Sequence, residues 1–191
     1  MLLKLFIKDY KDISNPKVRC KYGYLSGFIG VFFNIVLFTI KIFIGLFLNS
    51  ITIIADAFNN LSDIFTSFIT ILSFKVSNMP SSKKHPFGNG RIEYIGGLVV
   101  SFLIILTGIQ LLKSSFDRLL NPEIVKFNLI SVVIILMTIS VKLWLGKFNK
   151  YLGKAVDSSI ILASGTDALN DVLMSSSVVI SLLLIRLFNI N

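Results

Sequence analysis

Oxygen-donor side chains recur at a spacing of four residues in two apolar stretches of the chain. Asn59 and Asp63 form one pair, and Asp167 and Asp171 form the other. Residues four apart lie on the same face of an α-helix, so each pair would present its two donors side by side. Two carboxylates stacked in this way repel each other, and a bound cation removes that repulsion. The spacing therefore predicts a cation site.

The predicted ligand set contains one amide and three carboxylates: Asn59, Asp63, Asp167 and Asp171. Hard oxygen donors suit manganese(II), magnesium or calcium, whereas zinc sites usually include imidazole or thiolate. His85 is the only histidine and falls in a loop, and Cys20 is the only cysteine. The donor chemistry therefore points away from zinc.

Asp56 is a possible accessory residue in the same apolar stretch as Asp63, nearer its outer end. It would either form an exit station for the ion or stabilise the N-terminal end of the helix through the helix dipole. The sequence leaves these two roles open.

Lys41 and Lys142 also fall within apolar stretches. We expect both to lie near the cytoplasmic ends of their helices and to extend their ammonium groups toward the lipid headgroups. On that expectation no cation lies at the depth of the carboxylates, so ion pairing does not account for them.

The elements that must position these residues are predicted to be membrane spans. The chain is 54% hydrophobic and 15% charged, whereas soluble chains are about a quarter charged. Five apolar runs approach the length that crosses a bilayer, at about 24–47, 51–74, 94–112, 127–145 and 158–188. We expect an all-α fold, a polytopic transmembrane helical bundle, with residues 1–22 as a cytoplasmic arm and 23–191 as the transmembrane domain.

Glycines at positions 23, 27 and 30 mark a small-residue face on the first span. Such a face allows close packing against another helix. Ordinary glycine content of membrane helices explains it equally well, and the sequence does not decide between the two.

Charge placement predicts the orientation of the chain. Six Lys or Arg residues precede the first span, none lies in the turn 48–50, and four lie in 75–91. This alternation places the N-terminus in the cytoplasm. The net charge of +9 is carried mainly between the apolar runs, which favours contact with anionic lipid over nucleic-acid binding. The carboxylates have no nucleophile–base pair beside them, so an enzyme is not expected.

Three segments together resemble the cation diffusion facilitator family: residues 50–63, 85–94 and 167–171. The resemblance implies a homodimeric metal-ion/proton antiporter with six transmembrane helices and a cytoplasmic metal-sensing domain. Its transport site would be the four predicted ligands, without a permanently bound cofactor. Zinc-transporting members commonly have His at the position of Asn59 or Asp167, so this set is similar to the manganese-exporting branch.

The sequence departs from the family pattern in two places. Some zinc-transporting members have a second loop site with two histidines; His85 matches one, but Asn89 stands at the other, so that site is expected to be absent. Five of the six spans that the resemblance implies are expected in these 191 residues, without the sixth span and the cytoplasmic domain. The chain is then expected to be either a fragment of a longer protein or a truncated product.

The expected function is efflux of a divalent cation, by manganese(II)/proton antiport with alternating access. The expected partners are the lipid bilayer, the metal ion, the proton and a second copy of the chain, in a bacterial cell membrane. Two alternatives stay open. The same fold could export zinc, iron(II) or cobalt, or the chain could be a truncated, non-transporting membrane fragment that associates with or regulates a full-length relative.

Overall fold

The computed structural model describes residues 7, 12, 15–47, 49–80, 88–120 and 129–188. Within these ranges the chain forms five α-helices and no strand, which confirms the all-α prediction. The helices are α1 (Pro16–Phe47), α2 (Ile51–Ser77), α3 (Ile92–Leu120), α4 (Leu129–Ala155) and α5 (Ser159–Phe188). His85 and most of the predicted N-terminal arm lie outside the described residues, so those predictions stay untested.

Among the described residues, three helices are long and apolar enough to cross a membrane: Pro16–Phe47, Ile92–Asp117 and Val132–Ala155. Large apolar side chains are exposed on their surfaces, as with Phe32 on α1 and Phe102 on α3. An apolar outer surface of this extent is suited to lipid contact rather than to water. α2 and α5, which carry the predicted ligands, pack beside these helices.

α4 extends further than the predicted fourth span. The apolar run ends near residue 145, but the helix continues to Ala155. Its last turns contain lysines, which favour helix formation although they do not favour lipid. The helix ends in a turn where Asp157 adopts a positive φ of 48°. As a consequence, Lys142 lies at the midpoint of α4 rather than near its end.

α1 and α2 form a closely packed antiparallel hairpin. A Cβ atom added at Gly23 would lie 2.1 Å from Cδ2 of Phe74 on α2, and one at Gly27 would lie 2.3 Å from Cγ1 of Ile71. No side chain fits at these distances, so the small-residue face of α1 is a packing surface. The chain reverses between the helices at Asn49, which has a positive φ of 50°.

α4 and α5 form a second hairpin whose backbones are in direct contact. A Cβ atom added at Gly165 would lie 2.8 Å from the backbone nitrogen of Lys150 and 3.1 Å from the carbonyl oxygen of Gly146. Because these neighbours are backbone atoms, they cannot rotate out of the way. This contact fixes how closely α4 can bring Lys142 to α5.

An ion pair joins the helices at the end where α1 and α3 begin. Arg19 on α1 donates to Oε1 of Glu93 on α3 at 2.9 Å, and also to the carbonyl oxygen of Asp157 at 3.3 Å. Glu93 is buried. The guanidinium therefore connects α1, α3 and the turn between α4 and α5.

Replacing Gly165 with alanine tests the backbone contact between α4 and α5. We expect Gly165→Ala to destabilise the detergent-solubilised protein by about 1–3 kcal/mol, because the added methyl group forces the two helices apart. The apparent melting temperature is measured by heating samples and using size-exclusion chromatography to determine how much folded protein remains.

The matched control is Gly108→Ala on α3, where an added Cβ meets nothing within 4 Å. Both changes replace a glycine inside a helix with alanine, so the change in helix propensity is the same in both. Equal melting temperatures for the two variants would contradict the close contact.

Candidate metal centre

Asp63, Asp171 and Lys142 meet near the middle of three helices. The Lys142 Nζ donates to Oδ2 of Asp63 at 2.5 Å and to Oδ2 of Asp171 at 2.6 Å. Lys142 is only 3% exposed. The prediction that it extends toward the headgroups is wrong, because the longer α4 places it at mid-helix, where the two carboxylates replace its hydration.

Asp167 lies one turn before Asp171 on α5, and it lines the same small cavity as Asp63 and Lys142. The structure thus brings the three predicted carboxylates into one region. If all are ionised, three carboxylates and one ammonium leave two net negative charges. Within the described ranges, no group of three His, Cys, Asp or Glu side chains is arranged to hold a metal ion, and the ammonium occupies the space between Asp63 and Asp171.

Asn59 is not brought into this contact. It lies one turn before Asp63 on α2 with its side chain exposed. It does not line the cavity beside Asp63 and Asp167. The neighbouring amide, Asn60, is buried instead, and it donates to the carbonyl oxygen of Asp56 at 3.3 Å. The role of Asn59 as a ligand therefore stays a prediction.

A small polar cavity adjoins the carboxylates. Its wall includes two carboxylates, the lysine, two amides and three hydroxyl groups: Asp63, Asp167, Lys142, Asn34, Asn149, Thr66, Ser67 and Ser164. From the carboxylates, the lining residues follow α2 and α4 toward their C-terminal ends and α5 toward its N-terminal end. The cavity therefore lies on the side of the cluster facing the Arg19–Glu93 ion pair.

Two buried amides in this wall were not predicted as site residues. Asn149 Oδ1 accepts a hydrogen bond from the Ser26 hydroxyl at 2.9 Å. Asn34 Nδ2 donates to the Gly30 carbonyl at 2.9 Å, while its Oδ1 is buried without a hydrogen-bond partner in the described part of the chain. Asn34 could have been suspected as a polar residue in the apolar first span, but Asn149 lies beyond the predicted end of the fourth.

Lys41 and Asp56 form a further ion pair. The Lys41 Nζ lies 2.8 Å from Asp56 Oδ2; the lysine side chain is 2% exposed and the aspartate side chain 44%. Lys41 does not extend toward the headgroups either, because the hairpin of α1 and α2 places a carboxylate beside it. Pairing with a buried lysine is a role of Asp56 that the sequence did not suggest.

Comparison with known proteins identifies the family. A sequence profile described as the cation efflux transmembrane domain matches residues 27–191. The chain belongs to the cation efflux family. This confirms the resemblance that rested on residues 50–63, 85–94 and 167–171.

Individual relatives of this cation efflux protein are about a quarter to a third identical to it over the aligned residues. An uncharacterized transporter of Methanocaldococcus jannaschii is 31% identical over 151 residues, covering 79% of this chain and 53% of the relative. The manganese efflux system protein MneS of Bacillus subtilis is 28% identical over 155 residues, covering 81% and 53%. The cation-efflux pump FieF of Cronobacter sakazakii is 26% identical over 148 residues, covering 78% and 49%. The chain spans about half the length of these curated relatives.

The contact between Lys142 and Asp63 predicts a stability effect in the metal-free cation efflux protein. Asp63→Asn removes one of the two charges that balance the buried ammonium. We expect a loss of about 2 kcal/mol, or a fall of about 5 °C in apparent melting temperature. Thermal unfolding in detergent with a chelator present measures it.

Asp117→Asn makes the same chemical change on the exposed side of α3. We expect its melting temperature to stay within about 1 °C of the unchanged protein, since exposed charges contribute little. If both variants behave alike, the ion pair of Lys142 does not stabilise the bundle.

Proposed function

We propose that the protein exports manganese(II) in exchange for protons by alternating access, with Asn59, Asp63, Asp167 and Asp171 as the transport site. The observation that carries this proposal is the meeting of α2 and α5 carboxylates around a cation at mid-helix. Buried carboxylates are costly, and they usually face a partner or an ion pathway. Family membership supports cation efflux in general, and the finer assignment rests on the following features.

The position between Asp63 and Asp171 suits a cation. An ammonium group already lies there at hydrogen-bond distance from both carboxylates. With Asp167 nearby, the cluster keeps two net negative charges when all its members are ionised, and a divalent ion would neutralise them. The attraction between a cation and nearby carboxylates is strong in low-dielectric surroundings.

The polar cavity supports an ion path from one side of the membrane. Hydroxyl and amide groups along α2, α4 and α5 can replace part of the hydration shell of a cation. The cavity has a volume of about 10 Å³, room for about one water molecule, and lies on the side of the carboxylates toward the end of the bundle that the charge pattern assigns to the cytoplasm. We therefore propose that the ion reaches the site from the cytoplasm, with the N-terminus in the cytoplasm and the protein in the cell membrane.

The donor chemistry and one relative favour manganese(II). All four proposed ligands offer oxygen, and imidazole and thiolate ligands, which zinc favours, are absent from the set. The relative MneS is named as a manganese efflux system protein. The carboxylates also supply the proton-exchange groups, since protons from outside compete with the metal for Asp63, Asp167 and Asp171. The family resemblance further implies that two copies form the working transporter.

Cellular efflux tests the site. In cells that depend on the full-length protein for manganese tolerance, we expect Asp63→Ala and Asp171→Ala each to lower manganese efflux by at least about tenfold, because each removes a charged ligand. Asp117→Ala, on the exposed side of α3, should transport normally. Efflux that survives both site changes would refute the assignment.

Ion preference is tested in vesicles with a pH-sensitive dye. We expect manganese(II) to drive proton movement at lower concentrations than zinc, iron(II) or cobalt, because the ligand set is all oxygen. The same vesicles carrying the Asp171→Ala protein give the background. A response to zinc at lower concentrations than to manganese would favour the zinc alternative.

A further inference from the structure

We propose that Lys142 is a tethered counter-cation of the transport site, which occupies the position of the divalent ion in the metal-free protein and is displaced from Asp63 and Asp171 when the metal binds. This inference rests on the proposed metal site, and it adds an affinity-determining residue on a helix that supplies none of the predicted ligands. The ammonium would then set how tightly a metal ion binds.

The first support is geometric. The Lys142 ammonium donates hydrogen bonds to Oδ2 of Asp63 and Oδ2 of Asp171, at 2.5 and 2.6 Å. A hard divalent ion binds carboxylate oxygens at about 2.0–2.6 Å, so it would lie within about half an ångström of the same distance from the same atoms. The two cations would therefore compete for one space, and both could not hold it together.

The second support is the local balance of charge. Asp63 and Asp171 come from different helices, and nothing but the ammonium of Lys142 is recorded bridging them among the described residues. Without a cation between them, the two carboxylates and Asp167 would repel one another at mid-helix. Lys142 keeps one positive charge there by a covalent tether, so it offsets part of this repulsion when no metal is present.

Lys41, the other buried lysine of the described helices, offers a comparison. It lies within ion-pair distance of one carboxylate, Asp56, whose side chain is 44% exposed, and of no second carboxylate among the described residues. Lys142 instead contacts two of the proposed ligands and lines the cavity beside the third. The position of Lys142 therefore favours a role in ion binding over a role in a single helix contact.

The test is equilibrium binding of Mn²⁺ to the purified full-length protein, unchanged and with Lys142→Met. If the ammonium holds the site about nine-tenths of the time, its removal raises the apparent affinity about tenfold, since only the open fraction binds metal. A lysine that merely shapes the site would give the opposite sign, with weaker binding after its removal. If Lys142→Met does not elute as a single folded species, Lys142→Gln replaces it as the neutral variant. The glutamine amide still donates hydrogen bonds to the carboxylates but carries no charge.

Two further variants separate charge from packing. Lys142→Arg keeps a fixed cation and should not gain affinity, and Lys147→Met removes an exposed lysine from the same helix and should bind as the unchanged protein does. Unchanged or weaker binding in the neutral Lys142 variants, or an equal gain in Lys142→Arg, would overturn the inference while the metal site stands. Absence of Mn²⁺ binding in the unchanged protein and in both neutral variants would instead reject the proposed function itself.

Discussion

Charged side chains near the middle of these helices can persist only in contact with one another, because each has lost its hydration there. Lys142 meets this requirement by bridging Asp63 and Asp171. The requirement also constrains the helices: the midpoint of α4 must lie against α5 and within reach of α2 for the lysine side chain. Glycine at position 165 allows the backbones of α4 and α5 to touch, and this close approach makes the bridge possible.

Features that depend on local spacing could be predicted from the sequence. The four-residue spacing of Asp167 and Asp171 places both on one side of α5, and the glycines of α1 pack against α2 as a small-residue face can. The cation that balances the carboxylates could not be predicted in the same way. Its depth depends on where α4 ends, and the helix continues through lysines after the apolar run has stopped.

The choice between neighbouring amides shows a second limit of sequence patterns. Adjacent residues on a helix point about 100° apart, so Asn59 and Asn60 face different surroundings. The four-residue spacing selects Asn59, whereas packing buries Asn60 and leaves Asn59 exposed. Burial depends on which helices pack against α2 and at what rotation, and one sequence without its tertiary contacts does not contain that information. The same holds for Asn34 and Asn149, which meet the site from two other helices.

The two hydrogen bonds of Lys142 differ in where they lie relative to the packed helix pairs. α1 with α2 and α4 with α5 are the two most extensively packed helix pairs in the described part of the chain. Lys142 and Asp171 belong to the same pair, while Asp63 belongs to the other. Sliding of one pair against the other must therefore separate Lys142 from Asp63, but it leaves the bond to Asp171 inside its own unit. The bond to Asp63 therefore crosses the boundary between the two helix pairs, so it ties their relative position to the charge that lies between Asp63 and Lys142.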